Sequence, residues 1–264
     1  MKSSKYEIDM CNGTIMDKLI SFALPLMLSG ILQLMFNAVD IIVVGRFSGS
    51  EALAAVGSTT ALINVFTNLF IGISLGANVL AARFFAAGRK EEMSETVHTA
   101  ITLALISGIL MAFVGLFFSR GALELMGTPA DVIDLSALYM RIYFMGMPFF
   151  MLYNYGAAIL RAVGDTKRPL YFLIIAGVIN AGLNMILVIV FGLGVAGVGI
   201  ATVFSQMVSC VLVLTCLCRT DGSYKLSFSK LSIKGYYLKQ IFQVGIPAGI
   251  QSTVINFSNT LLQS

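Results

Sequence analysis

The chain has 264 residues, 58% of them hydrophobic and 11% charged, with a formal net charge of +4. A soluble domain carries about 25% charged residues, so this composition, with a mean hydropathy of +0.90, excludes an ordinary water-soluble globule and points to an all-α integral membrane protein. The cations lie in short loops rather than on one face, which excludes a nucleic-acid-binding surface.

Residues 1–18 are polar and of mixed charge. The apolar run behind them is too long for a signal h-region and lacks a small-x-small cleavage site, so no cleavable signal is expected. Thr14 with Asp17 reads as a capping box for a helix entering the membrane. A span needs about 20 mostly apolar residues. The first runs from about Leu19 to Val44, the second between Glu51 and Arg83, the third between Glu95 and Arg120, and the fourth from about Leu135 to Leu160. The uncharged stretch from Pro169 to Cys218 holds two more, with a turn at Gly192–Gly197, and a seventh begins near Ile241.

Loop charge orients these spans. The N-terminal segment (Lys2, Lys5, Lys18) and the loops after spans two, four and six carry fourteen of the 17 Lys and Arg. Only Arg46, Arg120 and Arg141 fall at or near the other side, where Arg141 reads as an interface anchor. The positive-inside rule places the N-terminus in the cytoplasm. An internal similarity follows: Phe22–Gln33 resembles Val244–Ile255, with Pro25 on Pro247 and Asn37 on Asn259. Both helices start on the same side, as in a parallel repeat. The expected organisation is a cytoplasmic segment 1–18, a six-helix lobe 19–218, a cytoplasmic linker 219–240, and the first helix of a second lobe at 241–264.

Asp40 is the only acidic residue well inside a long apolar segment. A carboxylate there costs at least ~2.5 kcal/mol on insertion scales, which makes it a functional candidate by default. Ser29, Gln33, Asn37 and Asp40 form a polar stripe at helical spacing on span one. Thr60, Asn64 and Asn68 do so on span two, Asn180 and Asn184 on span five, and Thr202, Gln206 and Ser209 on span six. Such stripes face one another or a wet cavity, because hydrocarbon leaves them unbonded. Oxygen donors around one carboxylate suit a proton or a hard cation such as Na+. The alternatives are interhelical hydrogen bonding, worth ~0.6 kcal/mol per contact, and for Asp40 an interfacial position near the outer end of its helix.

Pro25 and Pro148 lie inside spans and can kink or hinge them. Gly72-Ile-Ser-Leu-Gly76 is a GxxxG read as helix packing. The Tyr and Phe residues of the spans read as packing and belt residues. Cys216-x-Cys218 with the single His98 lacks zinc spacing, so no metal or cofactor is expected. No nucleophile–base set points to an enzyme, and Gly164-Asp165 reads as a turn.

Pro25 followed by Phe36-Asn-Ala-Val-Asp40-Ile-Ile-Val-Val-Gly45-Arg46 resembles the first helix of the multidrug and toxic compound extrusion (MATE) transporters. Ile159–Pro169 resembles that family's cytoplasmic loop between helices four and five, and Asn180–Gly199 running into Ala201-Thr202 is a third matching stretch. The resemblance covers essentially the whole chain and the family's N-terminal half. It implies a twelve-helix, two-lobe antiporter of the cell membrane, of which the C-terminal lobe is missing here. Such a protein exports drugs and other organic, often cationic, compounds in exchange for H+ or Na+. It also implies that Asp40 is the cation-coupling residue, with Asn180, Asn184 and Thr202 at matching positions. Asn184 departs from the pattern, standing where some members have an Asp. That leaves Asp40 as the only formal charge of the site and makes Na+ specificity doubtful. Gln33, Asn37, Asn64, Asn68 and Gln206 are expected along the polar stripes or the substrate cavity, with Pro25 as the hinge. Two alternatives stand beside this reading. One is a flippase for lipids or lipid-linked saccharides, which would favour a cationic cavity. The other is a fragment that cannot transport alone.

Overall fold

The computed structural model describes residues 15–263, with side chains described for 16–60 and 62–254. Thr14 of the expected capping box, Lys2, Lys5, Cys11 and the side chain of Asn259 lie outside the described residues. The described chain is helical, as a backbone in hydrocarbon must be to satisfy its own polar groups. The helices are α1 (Ile15–Phe47), α2 (Gly49–Ala86), α3 (Lys90–Leu125), α4 (Ile133–Met145), α5 (Met147–Ala162), α6 (Lys167–Asn184), α7 (Gly194–Arg219) and α8 (Gly235–Gln263). Five of them are long and apolar enough to cross a membrane, and α4 with α5 makes a sixth as one bent span. This is a multi-pass membrane protein.

Two boundaries differ from the sequence expectation. The fourth span is broken: α4 and α5 meet at Gly146 with a bend of 47°. Pro148, inside the first turn of α5, has no N–H with which to continue the ladder. The bend is also packed from outside, since a Cβ on Gly146 would sit 2.8 Å from Val203 Cγ2 of α7. The turn between spans five and six is shorter and earlier than Gly192–Gly197. α6 continues through a π-helical stretch, Met185–Val190, and α7 already begins at Gly194. Gly192 and Gly194 take left-handed φ of 63° and 53°, which L side chains rarely adopt, so these glycines reverse the chain in so few residues.

α2 and α8 pack antiparallel, and their association is the most extensive between any two helices described. Gly72 faces Gly249 and Gly76 faces Gly245, so a GxxxG on each helix meets the other. A Cβ on Gly76 would fall 2.8 Å from Gly245 N, and one on Gly249 would fall 2.7 Å from Leu69 O. The packing role read for Gly72 and Gly76 thus has a partner, Gly245-Ile-Pro-Ala-Gly249, that the sequence reading did not recognise. Lipid tails are as apolar as the side chains, so close backbone approach is what holds helices together here.

The starts of α1, α3, α6 and α8 and the ends of α2, α5 and α7 form one basic end of the bundle. His98 of α3 is buried there, with Nδ1 2.6 Å from Ser94 O and Nε2 3.1 Å from the backbone nitrogen of Ser227. A carbonyl only accepts and a backbone N–H only donates, so Nδ1 carries the proton and Nε2 accepts. Lys234 N donates to Thr99 Oγ1 at 3.4 Å, and Lys234 Nζ lies 3.8 Å from Glu95. With Tyr224 and Leu226 buried, the segment between α7 and α8 is strapped to the start of α3. The Gly164-Asp165 turn is also more than a reversal. Asp165 is fully buried and accepts from the backbone N–H and Nε of Arg168, whose Nη1 lies 3.1 Å from Cys216 Sγ on α7. At the other end Arg120 pairs with Glu124 and Asp134 at 3.1 and 2.9 Å, and Arg141 is exposed.

Candidate functional site

Asp40 lies on the face of α1 that meets α6, two turns before the end of its helix. Asn184 is fully buried at the last turn of α6, and its Nδ2 donates to Asp40 Oδ1 and, at 3.2 Å, to Asn180 Oδ1. Asn180 Nδ2 reaches Thr202 Oγ1 of α7 at 3.4 Å, and that hydroxyl donates to Val198 O at 2.9 Å. The i,i+4 spacing of Asn180 and Asn184 stacks them on one face, which is why one carboxylate can end a chain of amides running to α7. Asp40, Asn180, Asn184 and Thr202 are therefore in one connected network. One fully buried side-chain atom in it has no hydrogen-bond partner, the Oδ1 of Asn184. The π-helical stretch begins at the next residue, Met185, and such stretches are frequent at functional sites.

Asp40, Asn180 and Thr202 of this network line a cavity of about 480 Å³, with Asn184 behind them, and that volume is within the ~300–1,000 Å³ of small-molecule sites. α1 contributes Gln33, Asn37 and Asp40, α2 contributes Asn64 and Asn68, and Gln206 comes from α7. Thr60 does not line the cavity; it donates to Val56 O of its own helix at 2.8 Å, and Thr67, two turns further along α2, lines the wall instead. Pro25 is buried on α1 and does not itself line the cavity, and its carbonyl accepts from Ser29 Oγ at 2.8 Å.

Aromatic residues are where the sequence reading fell short. Phe36, Tyr139, Tyr143, Phe150 and Tyr153 line this cavity rather than serving only as packing or belt residues. The rings of Tyr139 and Tyr143 are 6.2 Å apart. Their spacing on α4, i and i+4, puts both on one face, and that face lines the cavity. Among the described lining residues Asp40 is the only ionisable carboxylate, and there is no Lys or Arg. The cavity can thus hold an apolar, aromatic or cationic body against π faces and amides, next to one negative charge.

The family model MatE matches residues 25–186. The chain belongs to the MatE family. The matched range of the MatE model contains Asp40, Asn180 and Asn184, whereas Thr202 and Gln206 lie beyond it. Among curated MatE-type relatives, the chain is 35% identical over 246 residues to "Probable multidrug resistance protein YoeA" of Bacillus subtilis, covering 90% of this chain and 53% of that protein. It is 29% identical over 249 residues to "Probable multidrug resistance protein YpnP" of the same organism, covering 94% of this chain and 55% of that protein. The chain spans about half the length of the curated relatives it matches. A crystal structure of MATE in the bent conformation superposes with a TM-score of 0.90 at 25% identity, over 99% of this chain and 58% of that one. MatE proteins are transporters, not enzymes.

Proposed function

We propose that this chain supplies the first lobe of a multidrug efflux antiporter, with residues 19–218 as the lobe, the segment between α7 and α8 as the linker, and α8, which begins at Gly235 rather than near Ile241, as the first helix of a second lobe. The basic end faces the cytoplasm. Asp40 is the coupling residue, and the observation that carries this is its position in the wall of the cavity, where it accepts a hydrogen bond from Asn184 buried behind that wall. The network is one donor short at Asn184 Oδ1. A proton on Asp40 would supply that donor, a cation beside it would be coordinated by the same oxygen, and either would neutralise the only carboxylate among the described lining residues. The amide at position 184 adds no second charge to attract Na+, which favours H+.

In the transport cycle, neutralising Asp40 changes what α1 gains from its seat on α6. The helix then repacks about Pro25, the cavity shrinks, and the drug leaves outward. The ion gradient drives this only through different ion affinities of the two arrangements. The substrates are organic compounds, often cationic, held by aromatic faces and amides. A cavity for lipid-linked saccharides would favour phosphate-binding cations, and the described lining holds none.

Ethidium efflux from proteoliposomes of the complete polypeptide, driven by a pH gradient or a Na+ gradient, tests the reading. We expect the pH gradient to drive efflux and Asp40→Asn to abolish the ion dependence. Efflux and coupling left intact by Asp40→Asn would overturn it. The same assay on residues 1–264 alone should show no efflux.

A further inference from the structure

Phe36 and Asp40 stand one turn apart on the same face of α1. Each meets α6, Asp40 at Asn184 and Phe36 at Gly177. The phenyl ring lies where a side chain at position 177 would be: a Cβ built on Gly177 would overlap ring carbons Cε1, Cε2 and Cζ. Around them Met27, Ile31, Met35 and Ile42 are exposed, Leu34 lines the cavity, and the next α1 side chains buried in the core are Val43 and Val44, one turn past Asp40. The helix is thus held on α6 at two neighbouring points, one of charge and hydrogen bonding, one of shape.

We propose that Phe36 is a positioning residue whose ring, seated in the notch at Gly177, sets the height and rotation of α1 at which Asp40 reaches Asn184. The inference rests on the reading of Asp40 as the coupling residue. Moving one residue along a helix changes height by ~1.5 Å and, at ~3.6 residues per turn, direction by about a quarter turn. A hydrogen bond tolerates much less than either. A rigid ring against bare backbone opposes both movements, whereas the single hydrogen bond to Asn184 breaks under them. Without the ring in its notch, Asp40 leaves Asn184 and turns toward the wet cavity. Water then solvates the carboxylate and competes with the coupling ion, so a higher ion concentration is needed to neutralise it.

The test is ethidium efflux by the complete polypeptide in proteoliposomes, at saturating ethidium, as a function of H+ and of Na+ concentration. Phe36→Ala, Phe36→Leu, Gly177→Ala, the double variant Phe36→Leu/Gly177→Ala and Asp40→Asn are compared. The ion concentration for half-maximal efflux should rise threefold or more in Phe36→Ala and in Gly177→Ala. It should return to within twofold of the parent in the double variant, where the smaller side chain makes room for the added methyl. If Gly177→Ala does not accumulate, the two Phe36 variants, which insert nothing new, carry the test, with the shift larger for Ala than for Leu. Loss of efflux with an unmoved ion midpoint means plain packing and overturns the proposal. If Asp40→Asn abolishes ion dependence while every Phe36 and Gly177 variant keeps the parent midpoint, the notch is wrong and the Asp40 reading stands. If Asp40→Asn changes nothing, both fall.

Discussion

Gly72 of α2 and Gly249 of α8 meet backbone to backbone, with no side chain between them. Four residues along each helix, in opposite directions, Gly76 and Gly245 do the same. A leucine at Gly76 would have to push two backbones apart, since even a Cβ would stand 2.8 Å from Gly245 N. Overpacking of this kind costs about 1–3 kcal/mol. Gly76→Leu should lower the thermal midpoint of the purified protein in detergent. Gly30→Leu, at a glycine with open space around it, should leave that midpoint nearly unchanged. Equal midpoints for the two would remove the seam from the stability of the fold.

His98→Leu removes the acceptor of the Ser227 N–H and leaves that donor beside an apolar side chain. An unsatisfied buried donor costs about 1–3 kcal/mol. The strap should open more often, and limited trypsin digestion at the exposed Lys225 and Lys230 should become several-fold faster. Digestion at the parent rate would show that the burial of Tyr224 and Leu226 holds the strap without His98.

Asp165→Ala takes the carboxylate from the half-buried Arg168, which otherwise keeps its place near Cys216. Breaking a buried pair from one side costs about 3–5 kcal/mol. Membrane accumulation of this variant should fall sharply, and replacing both residues by apolar ones of similar volume should restore much of it. Normal accumulation of the single variant would mean that the turn does not need the pair.

Asn184→Asp puts a second carboxylate beside Asp40. Two like charges at that spacing favour a shared cation. The Na+ concentration for half-maximal ethidium efflux should fall at least tenfold, equivalent to about 1.4 kcal/mol. An unchanged Na+ response would remove position 184 from ion choice.

The spans were legible because hydrocarbon imposes length and apolarity on every one of them. The polar members of the site were legible for the same reason: Asp40, Asn180, Asn184 and Thr202 are costly residues at helical spacing, and the fold joins them in one network. Tyr139 and Tyr143 were not, because an aromatic in a span looks alike whether it faces lipid or a cavity. Pro148 marks the kink in that span in the sequence, and the structure has it as the 47° bend, but a kink does not tell which face of α4 meets the cavity. Gly245 and Gly249 could have been found by searching α8 for the same spacing as Gly72 and Gly76. Phe36 could not, since its seat depends on a glycine 141 positions away.

The seam between α2 and α8 separates order along the chain from neighbourhood in space. α8 comes last, yet its nearest companion is the second helix. The peptide between α7 and α8 then serves to deliver α8 rather than to retain it. A nick at the exposed Ser229–Lys230 bond would leave α8 seated, and two polypeptides divided there could find each other in the bilayer. For this fold, a breakpoint in the gene and a boundary in the assembled molecule need not coincide.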